Sequence, residues 1–541
     1  MSRIRRPPSF AARLAVLHAA VALAAVIPLS SVVAQETSPA AGRYDILIRH
    51  GRVFDGTGDP WLYEDIGIQG DRIVAVGDLH DATAATVIDA TGLYVSPGFI
   101  DTHSHAAPAL ATPGLSQGRP LLAEGVTTLI GNPDGGGPID LGKQRTALEK
   151  DGLGPNVGLM IGHGSVRNAV MGMADRKATP TELDSMRAIV RRGMEQGAFG
   201  LSSGLFYTPG SFAPTEEVVE LAKVVRPFGG LYSSHIRDES DYDVGVVAAV
   251  DEVIRIAREA GIPGVVTHIK VLGPHVWGYS AAIVERIDRA RQEGIEVWAD
   301  QYPYDASSTG LAAALVPAWA RAGGRDAFMK RLADSTQLAK IKAGMVANLD
   351  RRGGADRLQI ARYRPDTTLE GRTLDQIARA RNAGAIQTAL DMIRKGDASV
   401  VSFNMNDADV RRFMKQPWTF TCSDGTLVPF GQGVPHPRSY GTFPRKIRKY
   451  ALEDGVITLP FAIHSMTGLP AAVFRIEDRG IIRPGAFADV VVFDLAKVND
   501  PATYLKPHQL AQGMVDVLVN GGFAIRDGRF TSELHGRVLH R

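Results

Sequence analysis

The sequence predicts an α/β fold organised around a parallel (β/α)8 barrel, and three observations carry that reading. Eight short apolar runs alternate with amphipathic helical patterns between Gly98 and Cys422. Many of those runs stop abruptly at a histidine, a carboxylate or an amide. The two ends of the chain have a different, alternating texture that lies outside the repeat. Strand-then-helix alternation at this count is what a closed parallel barrel requires.

The chain has 541 residues, 45% of them hydrophobic and 22% charged, enough to bury a large core and more than one domain. It starts with a distinct segment. Met1 to Ala34 carries Arg3, Arg5, Arg6 and Arg13 and no acid, then the nearly apolar run Leu14 to Leu29, then small residues around Val32–Ala34. That layout is a secretory signal peptide over 1–34, and it predicts export, to the periplasm. The apolar run falls short of the roughly 20 residues of a membrane span, so no stable membrane insertion is expected once the leader is removed, a retained N-terminal anchor being the alternative. Without those four arginines the 60 basic residues fall to 56 against 58 acidic ones, a net charge of −2, which gives no electrostatic footprint for nucleic acid. The one cysteine, Cys422, excludes an intramolecular disulfide and reads as a small core residue.

From Tyr44 to Val95 the pattern is that of strands separated by glycine turns, as in Asp45-Ile-Leu-Ile and Thr86-Val-Ile-Asp. The same texture returns in Ala488-Asp-Val-Val-Val-Phe-Asp and in Met514-Val-Asp-Val-Leu-Val-Asn-Gly. The two ends are therefore expected to join in one domain flanking the centre. The barrel strands are expected at Gly98–Ile100, Val126–Ile130, Val157–Ile161, Phe199–Leu201, Leu231–Ser234, Gly264–Thr267, Glu296–Ala299 and Thr419–Cys422. Helices intervene, for example at Glu182–Gln196, Glu216–Val225, Val244–Glu259 and Ala281–Glu293. The interval 311–400 between the seventh and eighth strands is too long for a loop and reads as a helical insertion.

Chemistry in such barrels sits where the strands end. Here those ends hold His103 and His105, then Asn132 and Asp134, His163, Ser202-Ser203, His235, His268 with Lys270, Asp300-Gln-Tyr302, and Asp424. His103 and His105 are two residues apart and so share a face of an extended strand. Each histidine alone reads as an ordinary surface or core residue. His103, His105, His235, His268 and Asp424 together read as a divalent-metal site, zinc being the metal that suits imidazole and carboxylate donors. Zinc lowers the pKa of a bound water towards about 7, and Asp424 is suited to take the water proton and return it to a leaving nitrogen. That combination fits hydrolysis of an amide, ester or cyclic imide.

Several longer runs carry a family resemblance. Gly98-Phe-Ile-Asp-Thr-His-Ser-His, Gly200-Leu-Ser-Ser-Gly-Leu-Phe-Tyr-Thr-Pro-Gly, Ser234-His-Ile-Arg-Asp-Glu, Thr267-His-Ile-Lys, Asp300-Gln-Tyr-Pro-Tyr and Ser423-Asp-Gly are among them. So are His436-Pro-Arg-Ser-Tyr-Gly-Thr-Phe-Pro-Arg, Met466-Thr-Gly-Leu-Pro-Ala and the run from Arg479 to Asp494. The chain resembles the D-aminoacylase (N-acyl-D-amino-acid deacylase) branch of the amidohydrolase superfamily from about Tyr44 to Phe493. The resemblance implies a β-sandwich from both chain ends (35–97 plus 475–541) on a metal-dependent barrel (98–474), and one or two zinc ions. It implies that His235 and His268 hold the tighter metal, His103 and His105 a second position, and that Asp424 is the catalytic acid/base. It also implies that Lys270, Tyr302, Ser308 and Arg438, with Tyr207 nearby, bind the free carboxylate of a small-molecule substrate. Arg suits that task through paired hydrogen bonds and Lys through its point charge.

One departure stands out. The family has Gly-Asn-Cys-Gly after the second strand, its cysteine a zinc ligand, where this chain has Gly131-Asn-Pro-Asp-Gly135. Aligned on Gly-Asn, the cysteine position is Pro133; counted from Thr127-Thr128 it is Asp134. Asp134 is thus either an oxygen ligand in place of the thiolate or a turn residue in a Gly/Pro loop. The expected activity is hydrolysis of N-acyl-D-amino acids. A dipeptidase or cyclic-amide hydrolase on the same barrel is the enzymatic alternative, and a binding protein with a lapsed metal site the non-enzymatic one.

Overall fold

The computed structural model describes residues 43–541; the leader expected at 1–34 lies outside the described residues. Eight parallel strands form the barrel wall: β1 Phe99–Asp101, β2 Val126–Gly131, β3 Asn156–Leu159 continued as Ile161–Gly162, and β4 Gly200–Gly204. β5 Leu231–His235, β6 Gly264–Val266, β7 Val297–Gln301 and β8 Thr419–Thr421 complete it. Backbone ladders run β1-β2-β3 and, from the second half of β3, through β4, β5, β6 and β7 to β8. Between β8 and β1 the described residues show no ladder. The segment Ser465–Met466 bridges that seam instead, accepting from Thr421 N (2.9 Å) and Ile100 N (2.8 Å). The buried Asp101 carboxylate ties the same two strands by accepting from Ser423 N at 2.8 Å.

The helices form where the apolar spacing has a period of 3.6. Val246–Ala260 turns Val246, Ala249, Val250, Val253, Ile254, Ile256, Ala257 and Ala260 inwards. Each buried Val or Ile of such a face is worth about 1.5–3 kcal/mol of transfer free energy. The helix stops at Gly261, whose φ of +64° lets its N–H cap the Ala257 carbonyl. Pro180–Glu195 begins with a reciprocal capping box between Thr179 and Glu182.

The chain ends build one nine-stranded sheet. Tyr94–Pro97 pairs antiparallel with Val490–Phe493, which pairs with Met514–Val519. The long strand Arg43–Val53 pairs with Leu62–Gln69 on one side and with both Thr83–Asp89 and Tyr94–Pro97 on the other. Residues from both halves, among them Ile46, Ile66, Ile88, Val490, Val492 and Leu518, meet in one apolar core.

The segment between β7 and β8 is not wholly helical, which corrects the expectation for 311–400. Its helices enclose a three-stranded antiparallel sheet in which Ser399–Ser402 lies between Ser307–Gly310 and Leu358–Arg362. Strands of four or five residues whose partners lie tens of residues away leave no usable periodicity in the sequence. The insertion has its own core, built on Leu311, Leu315, Ile341, Leu358, Leu390 and Val400. No described helix is long and apolar enough to cross a membrane.

Candidate metal and catalytic centre

A cavity of about 430 Å³ opens at the C-terminal ends of the barrel strands, with the insertion forming part of its wall. His103 and His105 follow β1, Asp134 follows β2, His235 ends β5, His268 follows β6 and Asp424 follows β8. Asp134 stands in the middle. Its Oδ1 lies 3.4 Å from His103 Nε2, 3.5 Å from His268 Nε2 and 3.7 Å from His235 Nδ1, and its Oδ2 lies 3.4 Å from His105 Nε2. Asp424 Oδ1 is 3.2 Å from His105 Nε2 and 3.6 Å from His103 Nε2, while its Oδ2 is 2.8 Å from Arg438 Nη1.

Local backbone geometry aims these groups. Asp134, His268 and Asp424 all have positive φ, at +55°, +38° and +49°. Such left-handed conformations cost about 1–3 kcal/mol each outside glycine and concentrate at functional sites. Gly204 lets the β2 loop approach, since a Cβ there would sit 2.3 Å from the Asp134 carbonyl oxygen. Behind the site, Asp300 accepts from His268 N, and from Thr102 Oγ1 at 3.0 Å, fixing the turn after β6.

The donor set fits a divalent cation. Buried His103 Nδ1 and Nε2, His235 Nε2 and Asp134 Oδ1 have no hydrogen-bond partner, which is costly unless something else satisfies them. Three groups, His103/His105/Asp424, His103/Asp134/His268 and His235/Glu239/His268, each bring ligand atoms within 4.8 Å of one another. The electrostatics agree. Burial works against protonation of His105, yet Asp134 and Asp424 push its pKa up to about 10. His268 rises to about 9 against burial and Lys270, through Asp424, Asp134 and Glu239. The same negative potential that protonates imidazoles attracts a metal ion. Burial holds His235 down at about 4, leaving it neutral as a ligand must be. Burial would raise Asp424, but Arg438 and His268 hold it well below the usual carboxylate range, so it is ionised and able to accept a proton.

The expected carboxylate-binding residues divide. Lys270, Ser308, Arg438 and Tyr207 line the cavity. Tyr302 lies beneath it, 1% exposed, its ring 4.6 Å from the Arg438 guanidinium and 5.7 Å from Lys270 Nζ, and its hydroxyl directed to Met405 Sδ at 3.6 Å. It supports the two cations with its face, away from the cavity. His163 turns aside to Glu217 (3.0 Å), which also holds Arg167, and Asn132 pairs with Gln144. Cys422 is fully buried, and burial pushes its thiol up, so it is a core residue. Sequence reasoning did not single out Glu239. It is 5% exposed, 2.6 Å from Lys270 Nζ and 3.2 Å from His268 Nδ1. Its sequence signal is its place at the end of the run Ser234-His-Ile-Arg-Asp-Glu, four residues after His235.

The amidohydrolase family matches residues 86–524. D-aminoacylase of Alcaligenes xylosoxydans xylosoxydans is 35% identical over 519 residues, covering 92% of this chain and 98% of that protein. N-acyl-D-glutamate deacylase of the same organism is also 35% identical, covering 92% and 97%. The crystal structure of N-acyl-D-glutamate deacylase from Bordetella bronchiseptica, complexed with zinc and a phosphonate mimic of the tetrahedral intermediate, superposes with a TM-score of 0.79. It is 32% identical and covers 92% of this chain and all of the other. Sequence match, barrel architecture and the placement of imidazoles and carboxylates at the strand ends lead to one assignment: the chain belongs to the amidohydrolase family.

Proposed function

We propose that this protein is an exported, zinc-dependent deacylase that hydrolyses the amide bond of N-acyl-D-amino acids to a carboxylate and a free D-amino acid. The observation that carries the reading is the convergence of four imidazoles on Asp134, with Asp424 and Arg438 at the same cavity wall. The likeness to a D-aminoacylase and to a zinc-bound N-acyl-D-glutamate deacylase supports the substrate class and the metal.

His235 and His268 would hold the tighter ion, His103 and His105 the second position, and Asp134 would reach both, replacing a thiolate with an oxygen donor. A bound zinc supplies an acidified water and polarises the amide carbonyl. Asp424 Oδ1 faces His103 and His105, so it takes the proton of the attacking water there and returns it to the amide nitrogen as the C–N bond breaks. Arg438 holds Oδ2 and so fixes the orientation of that carboxylate. Lys270 and Arg438, with Ser308 and Tyr207, hold the substrate's α-carboxylate, and Glu239 fixes Lys270 from behind.

A chiral panel tests this. N-acetyl-D-amino acids should be hydrolysed, their L-forms poorly or not at all, and a chelator should abolish turnover until zinc is restored. Preference for an L-dipeptide or a hydantoin overturns the assignment.

A further inference from the structure

The direction of the Asp134 carboxylate is set by its backbone. Its oxygens come no closer than 3.4 Å to the imidazoles around them, and Oδ1 has no hydrogen-bond partner among the described residues. The turn 132–137 that carries it bends sharply, with Asn132 at φ +60°, Asp134 at +55° and Gly135 at +71°. Left-handed backbone at two residues other than glycine persists only where the surroundings over-determine it. Pro133 between them fixes its own φ but has no N–H with which to anchor the turn.

Two side chains outside the turn supply the anchorage. Ser202 of β4 is fully buried, and its Oγ donates to the Asn132 carbonyl at 2.7 Å while accepting from Gly135 N at 3.2 Å. One hydroxyl thus spans the residues on either side of Pro133-Asp134. The second anchor is Gln144, on the helix Leu141–Glu149. It exchanges two amide hydrogen bonds with Asn132, from Asn132 Nδ2 to Gln144 Oε1 at 2.8 Å and from Gln144 Nε2 to Asn132 Oδ1 at 2.9 Å. Every side-chain hydrogen bond that Ser202 and Gln144 make among the described residues goes to this turn.

We infer that Ser202 and Gln144 are positioning residues that set the zinc affinity of this chain, by holding Asp134 in the left-handed turn from which its oxygens face the four imidazoles. The inference rests on the reading of Asp134 as a metal donor and deepens it. Groups that fix a ligand from behind tune the affinity for the ion, because a donor already in place loses less freedom on binding. Without either anchor the turn relaxes towards ordinary backbone, and the carboxylate leaves the position it shares with the imidazoles.

The test measures zinc affinity, by competition with a chromophoric chelator, in the wild type, Ser202→Ala, Gln144→Leu, and each of these combined with Asp134→Ala. Circular dichroism checks that each variant is folded. Each single variant should bind zinc about 10- to 100-fold more weakly than the wild type. In the Asp134→Ala background the same substitutions should change affinity by less than about twofold, because the group they position is gone. Unchanged affinity in either folded single variant overturns the inference. So does an undiminished loss in the Asp134→Ala background, which places the effect elsewhere in the fold. If Asp134→Ala itself binds zinc as the wild type does, the reading of Asp134 as a donor fails and the inference fails with it. Should one single variant not fold, the other decides; should neither fold, Gln144→Glu, which keeps the bond from Asn132 Nδ2, decides on the same criteria. Zinc binding is read without turnover, so each outcome is separate from whether N-acyl-D-amino acids are hydrolysed.

Discussion

Asp134 is the residue on which the four imidazoles of the cavity converge. Where its relatives are expected to use a thiolate, we propose that it offers a hard oxygen donor that still carries a negative charge towards a bound metal. Of its two oxygens, Oδ1 faces three imidazoles and Oδ2 the fourth. Asp134→Ala should therefore lower the zinc bound per chain, read by elemental analysis of purified protein, while far-ultraviolet circular dichroism stays native. Unchanged metal content would leave Asp134 as a turn residue. The histidines were legible in the sequence because each closes an apolar run. Asp134 was half legible, since a gap of one residue moved the position onto Pro133. Glu239 was not legible as a site residue: it closes the run Ser234-His-Ile-Arg-Asp-Glu, and only the fold brings it to Lys270 and His268.

At the level of elements, the helices that cover the barrel follow from their apolar spacing, and the strands from where that spacing breaks. The seam segment Ser465–Met466 has no period of its own, because its backbone bonds to two strands without joining a ladder. Next to the seam, the helical run Lys446–Glu453 is wound with i→i+5 hydrogen bonds, and Lys446 at its start is 2% exposed. Its Nζ donates to Thr421 Oγ1 at 2.8 Å, with no carboxylate within 4.0 Å among the described residues. Burial lowers its pKa from 10.5 to about 7. The folded value lies below the unfolded one, so between those limits the unfolded chain holds more protons and stability rises with pH. The charged lysine is thus a full burden below about pH 7, relieved as pH climbs towards 10. Lys446→Met should stabilise the protein most in acid, with a gain that shrinks in alkali. Denaturant unfolding at about pH 6 and about pH 9 measures it, and a larger gain at the higher pH contradicts the account.

For the whole molecule, the barrel was legible because one motif recurs eight times, and the terminal sheet because both ends repeat the same alternation. The arginine-rich, then apolar, start of the chain supports export. Expressed with its own leader, the protein should appear in the periplasmic fraction with a mature N-terminus near residue 35, read by N-terminal sequencing; an intact leader in the membrane fraction would point to an anchor. The pairing of Tyr94–Pro97 with Val490–Phe493 also sets a timetable. A ribosome must deliver most of the polypeptide before those partners can meet, and until then the edge strand Tyr94–Pro97 waits open to any other strand. Closing a sheet with segments so far apart in the chain should make refolding from denaturant slow, with an open edge exposed to aggregation until the two ends meet.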